Sequence, residues 1–422
     1  MTGEARLERP GRRQPAAAPA VGRSPGSRPQ PRQPAAAPAA GRSPGSRPQP
    51  RQPAAAACGS VPQHRAAAGN SVARAGAAGL AGSVDLERFS PADDEASVRA
   101  CHEIYLSGVP ADDPEGPVMS FRPFAGWMER GWTEDPAETW LARDGVGKPS
   151  GWYRLGLPQR ENHHVADLAL SVHASSRRAG LGTALLGHAA VRARHAGRTE
   201  MTGMARAGSP GDAFARALGA RSGHTDVRRV LELAAIPPGH LARLRATAES
   251  AARGYGLLSW AGQTPANLVE AVGAVNNAAA ADMPRDAGYE PQLWEAERVR
   301  LDDERKAAQG LRSYTVAARS QASGELAGLT QLAVEPDEPA WGFQELTAVT
   351  GPHRGHRLGL LVKVAMLELL AEREPQLARI LTGNTDTNVH MIAINDDLGF
   401  RVLSEWPEFE VGTAQVSGPV SD

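Results

Sequence analysis

The chain has 422 residues, with 46 Lys and Arg against 47 Asp and Glu, and a formal net charge of −1 at pH 7. That length allows two or three domains, each with its own core, while the near-neutral balance gives no electrostatic case for nucleic acid or a membrane surface. Cys58 and Cys101 form no metal-ligand spacing, no apolar run is long enough to span a bilayer, and residues 1–10 lack a signal-peptide core, so a cytoplasmic protein is expected.

Residues 1–80 stand apart. The run from Arg13 to Pro19 recurs from Arg32 and begins again at Arg51, and residues 22–29 recur at 41–48. These Pro-, Ala- and Arg-rich units hold almost no large apolar residues, so composition predicts a disordered tail. Nucleic acid is an unlikely partner except through this basic segment.

A first folded half is expected over 84–235. Spaced apolar residues Val98, Cys101, Ile104 and Tyr105 predict a helix over 91–106. Strands follow at 138–143, 151–157 and 164–172, then a helix ending near 196, a strand at 198–204, a helix at 212–218 and a strand at 227–233. Pro237-Pro238-Gly239 marks a boundary. The second half, 240–412, repeats that order after a connecting helix at 240–253. It has a strand at 256–260, helices at 265–279 and 291–308, and strands at 313–319, 325–334 and 342–349. A helix at 359–371, a strand at 378–383, a helix at 388–396 and a strand at 400–403 complete it, before a flexible end at 413–422. The fold class is α/β: two tandem domains, each a mixed, mostly antiparallel sheet with flanking helices.

Two loops carry the functional signal. Arg177-Arg178-Ala179-Gly180-Leu181-Gly182 joins an expected strand to a helix, and Arg354-Gly355-His356-Arg357-Leu358-Gly359 does the same in the second half. Backbone N–H groups at such a helix start favour a phosphate or pyrophosphate. The dinucleotide fingerprint lacks its third glycine here, and neither loop has the Gly-Lys-Ser/Thr of a nucleotide hydrolase.

The first loop resembles the Arg-x-x-Gly-x-Gly loop of the GNAT acetyltransferases, through Arg177, Gly180 and Gly182. The second keeps Arg354 and Gly359 but has Arg357 where the middle glycine is usual. Phe214 to Ala220, the Thr382-Gly383-Asn384 strand end and the Leu398-Gly399-Phe400 exit extend the likeness, which is to tandem, mycothiol-synthase-like members. The resemblance implies acetyl-CoA as acyl donor and the amino group of a small molecule as acceptor. By it, N–H groups from Arg178 to Thr183 and from Gly355 to Leu360 would cradle the coenzyme pyrophosphate. Val172 and Val349 would offer main-chain contacts to the pantetheine, with Asn384 and Asn388 nearby in the second half.

Amine acylation needs a proton acceptor. Glu345 lies four residues before Val349, so regular alternation puts both on one face, and Asp167 sits on the comparable strand of the first half. The family's usual acid, a tyrosine, is replaced by Asn395 and Ala215. His163, His164, His353 and His356 have no partners at metal-binding spacing, so no metal is expected. Trp127, Trp132 and Trp140 suit a core or a cleft, and Tyr289 and Trp294, beside Asp282, Asp286, Glu290 and Glu295, suit the acceptor side. The other reading is a non-catalytic acyl-CoA-binding or scaffold protein.

Overall fold

The computed structural model describes residues 84–282 and 289–417. The expected tail, Cys58 and residues 418–422 lie outside them. The first half runs β1 (Asp85–Phe89), α1 (Glu95–Asp112), α2 (Phe121–Arg130), β2 (Ala137–Arg143), β3 (Pro149–Gly156), β4 (Val165–Val172), α3 (Leu181–His195), β5 (Glu200–Met204), α4 (Pro210–Ala217) and β6 (Arg221–Glu232). Helix α5 (His240–Ala251) connects to β7 (Tyr255–Ala261), α6 (Val269–Asp282), α7 (Ala296–Ala308), β8 (Arg312–Ser320), β9 (Leu326–Val334) and β10 (Trp341–Val349). Helix α8 (Leu358–Arg373), β11 (Arg379–Thr385), α9 (Val389–Leu398) and β12 (Arg401–Gly412) follow.

The described strands form one 12-stranded sheet in the order β1-β2-β3-β4-β5-β12-β6-β11-β10-β9-β8-β7. Only β4–β5 and β10–β11 pair in parallel; the other neighbours are antiparallel. The mixed, mostly antiparallel character is as expected, but the two halves share one sheet rather than holding one each. Its order holds a surprise: the last strands of the two halves are exchanged. Strand β12 pairs with β5 from Glu408↔Met204 to Gly412↔Glu200, while β6 pairs with β11 from Arg379↔Glu232 to Thr385↔Asp226.

Strand β12 runs well past its expected end at 403. Pro407 interrupts the apolar alternation, and register shifts between Val402 and Ser404 and between Pro407 and Phe409 accommodate it. Helix α2 was hidden by Pro123, which sits in the first turn, where a missing N–H breaks no helical bond. Beyond Gly412, Thr413 is buried and its hydroxyl donates to the carbonyls of Arg198 and Thr199.

Each half packs helices on both faces of the sheet. On one face, Leu181, Leu185 and Ala189 of α3 meet Tyr153 and Val172, and Leu358, Leu361 and Val364 of α8 meet Leu332 and Ile380. On the other, α1 and α2 bring Ile104, Phe124 and Met128 against Leu141 and Trp152, while Val272 and Val275 of α6 join Val299 of α7 against Leu329 and Ala348. Trp140 and Trp127 belong to these cores, whereas Trp132 is 61% exposed. Across the halves, Arg298 forks onto Glu161 at 2.7 and 3.1 Å, and the Ser120 N–H donates to Glu335 at 3.0 Å. Among the described residues no helix is long and apolar enough to cross a membrane.

Candidate active site

The two loops share one backbone. The Nε of Arg177 donates to the Val172 carbonyl at 3.1 Å, and the Nε of Arg354 to the Val349 carbonyl at 3.1 Å. Each loop then takes positive φ at the same two places, Arg178 (66°) and Gly180 (86°) in the first, Gly355 (84°) and Arg357 (52°) in the second. Left-handed φ costs a side-chain-bearing residue about 1–2 kcal/mol, so Arg357 holds a conformation glycine would take freely. Helices α3 and α8 begin directly after Gly180 and Arg357. Their first bonds run from Ala184 N–H to the Gly180 carbonyl and from Leu361 N–H to the Arg357 carbonyl. Among the described residues, no N–H over 178–183 or 355–360 has a protein partner. The helix starts therefore aim unpaired donors outward.

Side chains divide differently. Arg177 forks onto Asp112 at 2.9 and 2.6 Å, so its guanidinium braces the loop against α1. Arg178 and Thr183 are exposed, and Leu360 is buried in the core beneath α8. A Cβ on Gly182 would lie 3.5 Å from the Phe214 ring, and one on Gly359 would lie 3.0 Å from Ile394.

Beside each loop the sheet opens. Strands β4 and β5 pair only from Val165↔Glu200 to Asp167↔Thr202, and β10 and β11 only from Trp341↔Arg379 to Gln344↔Thr382. Beyond those pairs the partners diverge, because β5 turns to β12 and β11 to β6. Val172 and Val349 end the diverging strands on the α3 and α8 side. Asn388 caps α9, its side-chain Oδ1 accepting from Met391 N–H at 3.2 Å. Asn384 lies past the last parallel pair and accepts from Asn395 Nδ2 at 2.7 Å. Asn395, at the position of the family's tyrosine, is fully buried and accepts from Lys363 Nζ at 2.6 Å. Burial with no charged partner lowers Lys363 from an ordinary 10.5 to about 7.

On the opposite face, α1, α6, α7 and the sheet enclose a cavity of about 1020 Å³ with walls from both halves. Asp167 and Glu345 both line it, as do Tyr289, Glu290 and Trp294. Asp286 and the side chain of Asp282 lie outside the described residues. Asp167 is open to the cavity yet walled by protein; burial raises its carboxyl above the ordinary range, against the Thr202 hydroxyl at 3.2 Å and the Arg154 charge. Burial raises Asp113 and Glu335, also on the wall, in the same sense.

Glu345 is differently placed from the expectation. Gln344 pairs with Leu332 and Leu346 with Gln331, which leaves Glu345 as the extra residue of a β-bulge. The bulge breaks the alternation, so Glu345 faces α7 while Val349 packs towards α8. There Lys306 Nζ contacts Glu345 at 2.5 Å and Asp302 at 2.8 Å. Burial works against the Lys306 ammonium, but Glu345 and Asp302 outweigh it and raise its pKa. Neither lysine stands out in the sequence as a site residue. Lys306 sits in a charged run, 302–306, that reads as solvated; Lys363 is a lone charge in the apolar run 358–367, and that was a usable signal. Among the described residues no three His, Cys, Asp or Glu side chains gather to hold a metal ion.

Residues 99–219 match the model of the acetyltransferase (GNAT) family. A solved tandem GNAT protein from the clavulanic acid biosynthesis pathway is 27% identical, with a TM-score of 0.63 over 80% of this chain and 100% of that one. Residues 99–219 belong to the GNAT family. The likeness of this chain to that tandem structure extends over both halves. A GCN5-related N-acetyltransferase from Sphaerobacter thermophilus, 15% identical, shares the fold with a TM-score of 0.55 over 78% of this chain and 96% of its own. No curated protein sequence matches the chain. GNAT proteins are acyltransferases, and this one carries a loop and a strand gap in each half.

Proposed function

We propose that this tandem GNAT protein moves an acetyl group from acetyl-CoA to the amino group of a small molecule held in the shared cavity. The observation that carries the reading is an arrangement that occurs twice: a loop with unpaired N–H groups beside a strand gap on one face of the sheet, and a carboxylate lining the cavity on the other. In this reading the N–H groups over 178–183 and 355–360 hold a pyrophosphate, aided by the helix dipoles. Arg177 and Arg354 lock each loop to its strand, and Asn384 and Asn388 border the second gap. The coenzyme, when bound, supplies a thioester-activated acetyl group. Acidic walls at Asp113, Asp167 and Glu335 suit an incoming ammonium. Holding it in one orientation replaces a bimolecular encounter by a fixed one.

Asp167 is the stronger proton acceptor of the two candidates. Its carboxyl is raised by burial, whereas the Glu345 carboxylate is engaged by Lys306. Calorimetry with acetyl-CoA is expected to count two sites per chain, and an amine panel in a single turnover is expected to release free thiol. Binding without thiol release establishes instead the acyl-CoA-binding scaffold, which the loss of both tyrosines at Ala215 and Asn395 favours. A stoichiometry of zero ends both readings.

The glycines offer a separate test. Gly359→Leu drives a side chain towards Ile394 and the loop mouth, and Gly182→Leu does so beside Phe214. Each is expected to weaken coenzyme binding in its own half by at least tenfold, an overpacking cost of roughly 1–3 kcal/mol. Titrations that lose both sites at once would contradict independent seats.

A further inference from the structure

The second half contains a polar chain that the first half lacks entirely. Lys363 on α8 is 2% exposed, and its Nζ donates to Asn395 Oδ1 on α9 at 2.6 Å. Asn395 Nδ2 in turn donates to Asn384 Oδ1 on β11 at 2.7 Å. Lys363 lies 4.9 Å over the Phe400 ring, and no carboxylate pairs with it among the described residues.

The two halves can be superposed by counting. From the loops, Leu358 corresponds to Leu181, which places Lys363 at Leu186. From the Leu398-Gly399 and Leu218-Gly219 exits, Asn395 corresponds to Ala215. From the last parallel pairs, Thr382 corresponds to Thr202, so Asn384 falls at Met204. All three positions are polar in one half and apolar in the other. A buried ammonium is costly unless something uses it, and a change confined to one side chain would not explain the other two.

The chain has a direction. Asn395 turns its oxygen to Lys363 Nζ and its NH₂ to Asn384, the orientation that a donating lysine sets. Asn384 must then accept through its oxygen, and its own NH₂, on a residue just past the last β10–β11 pair, has no protein acceptor among the described residues. An asparagine held at one end only could present either atom.

We propose that Lys363 is a positioning residue that, through Asn395, fixes the Asn384 amide as a hydrogen-bond donor to a carbonyl oxygen on the pantetheine arm of acyl-CoA in the second half. The inference rests on the coenzyme reading above. It makes the two seats unequal: one with a preset donor in its gap and one lined there by apolar side chains.

The test is calorimetry of the full chain with coenzyme A and with ADP, which carries the diphosphate but no pantetheine arm. Lys363→Met keeps an unbranched side chain and removes the donor. It is expected to weaken one coenzyme A site about tenfold, the worth of one good hydrogen bond, and to leave ADP affinity unchanged. Asn384→Ala should weaken the same site similarly, and the double variant no further, since both break one chain. Asn395→Asp covers the case of a Met variant that does not fold. It keeps an oxygen for Lys363 as an ion pair, but offers Asn384 no donor, and the same loss is expected. Unchanged coenzyme A affinity in the Met or Asp variant overturns the inference, as do equal losses for coenzyme A and ADP or losses that multiply in the double variant. Wild-type protein that binds no coenzyme A fails the underlying reading instead.

Discussion

Asp167→Asn is expected to lower kcat by about 100- to 10,000-fold, the usual contribution of a positioned general base, while acetyl-CoA affinity stays near that of the wild type. The carboxyl lines the acceptor cavity, not the loop face, so its loss touches proton transfer and not the coenzyme seat. Burial raises its folded pKa above the ordinary 3.8. Wild-type kcat/KM should therefore fall as pH drops through that raised value, and the residual rate of the Asn variant should lose this limb. Stability runs the other way. A carboxyl with a raised folded pKa stabilises fully below the unfolded value and loses that contribution as pH rises through the folded one. At neutral pH the Asn variant should then melt no lower than wild type, a combination that a structural role for Asp167 would not give. Glu345→Gln offers the contrast. It strips Lys306 of one of two carboxylates and leaves Asp302 at 2.8 Å, so a lower melting temperature and a smaller kcat loss are expected. Near-normal turnover in the Asn variant, with the Gln variant inactive, would return the base to Glu345.

What the sequence disclosed follows from how local each signal is. The first loop was legible because its Arg and two Gly stand at fixed spacing between a strand and a helix that each show their own period. The second was legible by repetition, although Arg357 occupies a left-handed position without the glycine that usually marks one. Strand β1 and helix α2 were missed because five residues carry little periodicity and Pro123 reads as a break. Glu345 was placed on the correct strand, but alternation cannot foresee a bulge, and one extra residue turned it away from Val349. The shared cavity was out of reach for a different reason. It depends on β12 and β6 crossing between halves, and nothing in residues 401–412 specifies that their partners lie at 200–204. Lys306 shows the same limit at a single side chain, since the charged run around it looks solvated while the residue itself is 4% exposed.

Neither half is expected to fold when produced alone as residues 84–239 or 240–417. Strand β6 reaches β11 and β12 of the second half, and β5 has only β4 and β12 as neighbours. Without the second half, β5 and β6 would each present an unpaired edge, a template for aggregation. Their apolar faces would also lose cover. Leu231 of β6 is 1% exposed and packs in the cluster built by Leu358, Leu361 and Ile380. Phe409 of β12 is 6% exposed, and the Arg216 guanidinium of the first half lies 5.6 Å over its ring. A chain ended after Phe400 tests the same dependence more sharply, because it removes only β12 and the segment beyond it. If the exchange is integral, that truncation abolishes cooperative urea unfolding of the whole molecule and not of the second half alone. Co-expression of the two halves should restore a soluble, monodisperse complex with one unfolding transition. The competing outcome is direct pairing of β6 with β5 inside an isolated first half. Sharp unfolding of residues 84–239 by themselves would establish that pairing, and the exchanged sheet would then be one of two arrangements open to the chain.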